Sequence, residues 1–284
     1  MHRIFCLLAA GAVGFGPAAS EAQDVVVFAE VGGYGGTPSE TAPTQLRTTV
    51  ISPLVGGFAR IGERLQLGLL WGAAYASAEA AGAGSLEGNQ FEIGNPYALA
   101  AYAFPLGDRL MLRVGGGLTV PLAFRRSDPD FGDSVGSLGL RVAAAMRGNW
   151  NAWLFAEDTM AIVLPSARLD YAFRFPLRIG VELATAVLID TSGDRDAAEF
   201  ATQLKLEGFY TFSRWLRLGL RVRGVWVPTV PGDNAQVAIE PFVRALLGPT
   251  FTEVRLVMNL DRPSGFAFDE GGIWGLHVGV GASF

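Results

Sequence analysis

The residues that could do chemistry cluster in the second half of the chain, and they are charged rather than nucleophilic. Arg217, Arg221 and Arg223 share the odd-numbered phase of one extended segment, so in a strand their side chains project from one face. Lys205 and Glu207 precede them at the same two-residue spacing, and Glu240, Arg244, Glu253 and Arg255 follow. Arg141, Arg178 and Glu182 extend the set toward the N-terminus, with Arg147, Arg168, Asp170 and Arg174 in matching phase. Guanidinium and carboxylate groups on neighbouring strands can form cross-strand ion pairs. They can also line a polar wall that sorts solutes by charge. Either way the chemistry is electrostatic, and no bond is broken.

Nucleophilic and metal chemistry have little to stand on. Past residue 22 the chain has one histidine, His277, and no cysteine. Ser283 shares the face of His277 but lies about 20 Å further along an extended strand, at ~3.3 Å per residue. Glu253 and Arg255 are its nearer partners. There is no Gly-x-Ser-x-Gly, no phosphate-cradling glycine loop and no metal-spaced His/Cys cluster. Asp128, Asp130 and Asp133 put three carboxylates in one loop, without the remaining ligand positions of an EF-hand. The sequence therefore predicts no cofactor, no metal and no enzyme. A lipid-acting hydrolase using His277 is the weakest of the functional alternatives.

Strands must position these charges. The last stretch, Gly272 to Phe284, alternates strictly. Trp274, Leu276, Val278, Val280, Ala282 and Phe284 form one face, and Ile273, Gly275, His277, Gly279, Gly281 and Ser283 the other. Period-2 alternation is a β-strand with one apolar face. From Asp24 onward similar segments recur, joined alternately by short turns and long polar loops. Short turns fall at 61–64, 105–109, 213–214 and 248–249. Long loops fall at 35–43, 79–88, 125–135 and 261–270. The long loops are acidic, with Glu40, Glu79, Asp128, Asp261 and Asp269 among their residues. Gly94-Asn95-Pro96 reads as turn or bulge chemistry inside the strand at 89–104.

Composition fits the same picture. Hydrophobic residues make up 50% of the 284 residues and the mean hydropathy is +0.31. Beyond the N-terminal segment no run approaches the ~18 apolar residues of a membrane helix. Apolar residues spread over alternate positions produce that combination in a membrane barrel. Residues 1–22 read as a secretory signal: Arg3, an apolar run from Ile4 to Phe15, then Ser20-Glu21-Ala22 as a small-x-small site. The domains are therefore a signal peptide at 1–22 and a transmembrane β-barrel at 23–284. With 22 Lys+Arg against 27 Asp+Glu, the net charge is −5, which argues against nucleic acid as a partner.

The alternation, the loop asymmetry, the signal-like start and the terminal aromatic Phe284 together resemble the Gram-negative outer-membrane β-barrels. The resemblance covers residues 23–284 and is generic; it singles out no subfamily beyond porin-like or small-solute-transporter barrels. It implies an all-β, single antiparallel up-and-down barrel in the outer membrane. It also implies that the terminal face from Trp274 to Phe284 is read by the barrel-assembly machinery, and that outer-membrane lipid and lipopolysaccharide surround the protein. The solute is unknown.

Residues 151–175 leave the strand count open. If a bulge near 156–158 turns Glu157 and Asp158 inward, Trp153 and Phe155 join Phe173 and Phe175 in one girdle and the barrel has 14 strands, the preferred count. If 150–165 is instead a periplasmic amphipathic segment, the count is 12. Two functions compete on the charged face. One is a narrow polar channel for passive passage of small solutes, which is favoured. The other is a structural or interaction barrel with a closed, salt-bridged interior.

Overall fold

The computed structural model describes residues 25–36, 45–81, 86–127, 143, 150, 152–193, 198–229, 234–260 and 274–284. The strands are β1 (Val25–Gly36), β2 (Gln45–Ile61), β3 (Leu65–Ala81), β4 (Leu86–Ile93), β5 (Tyr97–Pro105), β6 (Leu110–Thr119) and β7 (Phe124–Ser127). They continue with β8 (Thr159–Ala172), β9 (Leu177–Asp190), β10 (Glu199–Ser213), β11 (Leu216–Trp226), β12 (Ala235–Leu247), β13 (Thr250–Asn259) and β14 (Trp274–Ser283). A single turn of 3-10 helix, Ala152–Phe155, precedes β8.

All pairings are antiparallel, and the ring closes where β14 meets β1, from Val26 opposite Ser283 to Gly33 opposite Leu276. Closure removes the unpaired edges that hydrocarbon cannot tolerate. The ring runs β1-β2-β3-β5-β6-β8-β9-β10-β11-β12-β13-β14, which is twelve strands. β4 pairs with the far half of β3 and β7 pairs with β4, so these two extend the wall above β5 and β6. The preferred count of 14 barrel strands is thus corrected to 12.

Part of the miscount has a local cause. β8 is one strand whose ladder to β9 shifts between Val163 and Ser166. Its inward residues are Ala161 and Val163 before the shift, and Ser166, Arg168 and Asp170 after it. The inward phase changes from odd to even, so one strand reads as two. Glu157 and Asp158 do not turn inward at a bulge. They are exposed turn residues, and the Asp158 carbonyl accepts from Thr191 N (2.7 Å) and Thr191 Oγ1 (2.8 Å). Arg141, Arg147 and the carboxylates at 128, 130 and 133 lie outside the described residues, as does the segment 1–22.

Outward faces are apolar around the ring: Leu67, Leu69 and Trp71 on β3, Leu204 and Leu206 on β10, Val278 and Val280 on β14 are all exposed. Aromatic pairs Tyr102–Phe104, Tyr171–Phe173 and Tyr210–Phe212 lie 4.8–4.9 Å apart near the short turns. Paired aromatics at one level are the girdle expected at a bilayer interface. Phe173 packs with Phe175 here. Trp153 and Phe155 do not join them, since both are buried at the other end of the barrel.

Candidate functional site

The interior is built in three layers. Nearest the short turns, aromatic rings face inward: Phe28 and Phe58, stacked at 6.1 Å between centroids, with Phe209, Phe242 and Phe251 across the ring, all buried. Gly219 makes room for Phe242, because a Cβ there would sit 2.5 Å from the ring carbon Cε1. These rings share the phase of the charged residues, so parity alone would have placed them inside. Chemical type drew attention to the charges and away from the rings.

Above them runs a belt of ion pairs. On β6, Arg113 meets Asp170 of β8 at 3.0 Å. Arg168 binds Asp170 (2.8 Å), Glu207 of β10 (2.9 Å) and Glu182 of β9 (3.6 Å). Lys205 closes on Glu182 at 2.8 Å. Glu207 also holds Arg221 of β11, which reaches Glu253 of β13 at 3.4 Å and Glu240 of β12 at 3.8 Å. Glu240 takes Arg223 at 2.6 Å and Arg255 at 3.7 Å, and Glu253 takes Arg244. The belt ends across the seam, where Arg255 binds Glu30 of β1 at 2.9 Å and His277 Nδ1 lies 3.0 Å from the other Glu30 oxygen.

The register produces this belt. Arg168 stands opposite Glu182, Glu182 opposite Lys205, Glu207 opposite Arg221, Arg221 opposite Glu240, and Arg244 opposite Glu253. Directly opposed unlike charges are favourable cross-strand neighbours. The belt touches nine of the twelve ring strands. Its seven cations face six carboxylates, and none of these side chains exceeds 10% exposure. Arg178 and Arg217 are half-buried nearer the short turns, and Arg217 stacks over Phe209 at 5.1 Å. Arg113 was not singled out from the sequence, although its parity between Leu112 and Val114 points it inward.

The third layer fills the half of the lumen nearest the long connections. Trp150, Trp153, Leu154 and Phe155 are almost fully buried. They pack in one apolar cluster with Tyr34, Val50, Leu54, Leu70, Ala74 and Tyr97 of the wall. Phe155 reaches the inward side of Gly72, where a Cβ would lie 3.6 Å from its ring. On the opposite wall the inward residues of the cluster are small: Ala161, Ala184, Ala186 and Ala201. The 152–155 segment is therefore neither a strand nor a periplasmic helix. It is folded into the barrel.

This insertion leaves a polar cost. The indole N–H groups of Trp150 and Trp153 and the hydroxyl of Tyr97 are buried with no hydrogen-bond partner among the described residues. Each such group costs about 1–3 kcal/mol. Against this stands Asn95, fully buried where β4 breaks from β5. Its Nδ2 donates to the carbonyls of Trp153 (2.9 Å) and Ala156 (2.7 Å), and its backbone N–H to that of Leu154 (2.6 Å). Its Oδ1 accepts from Leu122 N (2.8 Å) and Ala123 N (2.7 Å), where β6 breaks from β7. The one sequence sign of this role was an Asn-Pro pair interrupting a strand.

On β14, Trp274, Leu276, Val278, Val280 and Phe284 are exposed on the outer face, with Ala282 half-buried in the same phase. Phe284 is tied to β1 through Phe284 N to Val25 O (2.9 Å). His277 is enclosed on the inner face, far from the lipid side where an acyl substrate would arrive.

No protein-family model matches the sequence, and no curated protein matches it. Solved structures do match. An outer-membrane channel from Pseudomonas putida F1 superposes with a TM-score of 0.62 at 12% identity, over 94% of this chain and 99% of that one. The translocator domain of the autotransporter NalP from Neisseria meningitidis gives 0.54 at 13% identity, over 94% and 90%. The NanC porin gives 0.51 at 11% identity, over 91% and 98%. At such identities the likeness is one of fold, and the fold is that of the Gram-negative outer-membrane β-barrels.

Proposed function

We propose that this protein is an outer-membrane channel for small solutes, held closed in the state described above. One observation carries the reading. Side chains alone fill a barrel of about eight strands, whereas this ring has twelve and its upper half is filled by a folded-in segment of chain. Material that belongs to a connection rather than to the wall can leave without breaking the wall. The likeness to an outer-membrane channel supports the reading at the level of fold.

The belt favours a second reading, a closed barrel whose ion pairs serve only as scaffold. The two separate in planar lipid bilayers. The wild type and a variant with residues 152–155 replaced by Gly-Ser-Gly-Ser are compared after heat-modifiable migration has shown both to be folded. The channel reading expects rare, small openings in the wild type and conductance raised at least about tenfold in the variant, since a 12-strand lumen emptied of its filling is wider than side chains can seal. Silence from both folded proteins overturns it in favour of the scaffold.

A further inference from the structure

We propose that Asn95 is the latch that keeps the 152–156 segment in the lumen, and hence the residue whose bonds set how often the channel opens. The proposal rests on the channel reading above, but its central measurement does not. Asn95 is the point where three pieces of chain meet. Its carbonyl oxygen holds the β6–β7 break through Leu122 N and Ala123 N, and its amide nitrogen holds the inserted segment through the carbonyls of Trp153 and Ala156. One planar side chain thus joins wall to filling, with acceptor and donors on opposite sides.

Two features give the latch work to do. The segment carries buried polar groups without partners among the described residues, the indole N–H groups of Trp150 and Trp153, so its apolar packing is partly offset. The wall at the latch is already interrupted, because β4 stops at Ile93 and β5 begins at Tyr97. Trp71 Nε1 donates to the Gly94 carbonyl at 2.8 Å, and Gly94 N to the Gly72 carbonyl at 2.8 Å. The latch residue is therefore anchored to β3 from both sides of Gly94, independently of the segment that it holds.

Asn95→Asp tests this with little change of shape. The aspartate keeps an acceptor for Leu122 N and Ala123 N, and replaces the amide donors with an oxygen facing two carbonyls. Asn95→Ala removes both sets. The variants are made with Phe155→Cys in a Cys6→Ser background, and labelling by a membrane-impermeant maleimide is timed in lipid vesicles. With Asn95 intact the introduced thiol is buried and labels slowly. Asn95→Asp is expected to speed labelling at least about tenfold, the scale of losing two buried hydrogen bonds, and to lengthen channel openings. Asn89→Asp, on the exposed side of β4, is expected to change neither.

Unchanged labelling in folded Asn95→Asp and Asn95→Ala overturns the latch. Failure of both to fold does so too, since Asn95 would then be part of the wall rather than a releasable hold. Faster labelling without conductance sustains the latch and sinks the channel reading. Conductance from the 152–155 replacement, with labelling unmoved by Asn95→Asp, does the reverse.

Discussion

Glu240, like Glu253, has three cation partners in the belt. Arg221, Arg223 and Arg255 all lie within 3.8 Å of it, and it has no exposed surface. Removing one partner of a buried ion pair leaves uncompensated charge and costs about 3–5 kcal/mol. Glu240→Ala is accordingly expected to lower stability by that amount, read as the urea midpoint of tryptophan fluorescence in vesicles. Arg217→Ala, at a half-buried position where the guanidinium stacks on Phe209, is expected to cost less than Glu240→Ala, because water can reach the groups left behind. Equal effects would mean that the belt is not an energetic unit. The same logic changes what replacing Arg217, Arg221 and Arg223 together by Ala would do. The sequence alone suggests a shift in ion selectivity. With Arg221 and Arg223 enclosed by Glu207, Glu253 and Glu240, loss of folding is expected first. Parity made the inward face legible; it carries no information on how tightly long side chains reach diagonally, and that reach decides between pore lining and ion pair.

At the scale of the strand, the seam between β1 and β14 was the most legible element and β8 the least. β14 alternates without a break, so its faces follow from period 2. β8 changes phase at Leu164–Pro165, and the 3-10 turn before it carries aromatics at a spacing that fits a girdle as well as a core. Only the surroundings, Leu54, Leu70 and Tyr97 on one side and small alanines on the other, decide that they go inside. The seam yields two predictions. Gly32 stands opposite His277, and a Cβ there would fall 2.6 Å from Nδ1 of the imidazole. Gly32→Val is expected to displace His277 from Glu30 and lower the heat-modification temperature, whereas Gly224→Val, where a Cβ meets nothing within 4 Å, is expected to be mild. Deletion of Phe284 removes its bond to Val25 O and the aromatic end of the outer face. Reduced insertion into outer membranes in cells, with refolding into vesicles retained, is the outcome expected if assembly machinery reads that end. Equal loss in both assays would instead make Phe284 a stability residue.

For the whole molecule, the charged belt and the apolar filling are barriers of different kinds stacked along one axis. The filling is chain inserted from a connection, and the belt is fixed to nine of the twelve walls. Emptying the upper half therefore leaves a constriction at the belt, with the largely apolar inward faces of β2, β3 and β5 completing the ring. Ions crossing the 152–155 replacement variant must pass between a charged arc and an apolar one. The arc holds seven arginine and lysine side chains against six carboxylates. A small positive excess in a low-dielectric wall concentrates anions. The variant is expected to give a modest anion preference in its reversal potential under a KCl gradient, reduced when Lys205 is replaced by Met. Lys205 is the simplest cation to remove, because it contacts Glu182 while Glu182 retains Arg168. A clear cation preference that Lys205→Met leaves unmoved would place the selective point outside the belt, and the belt would then be scaffold alone.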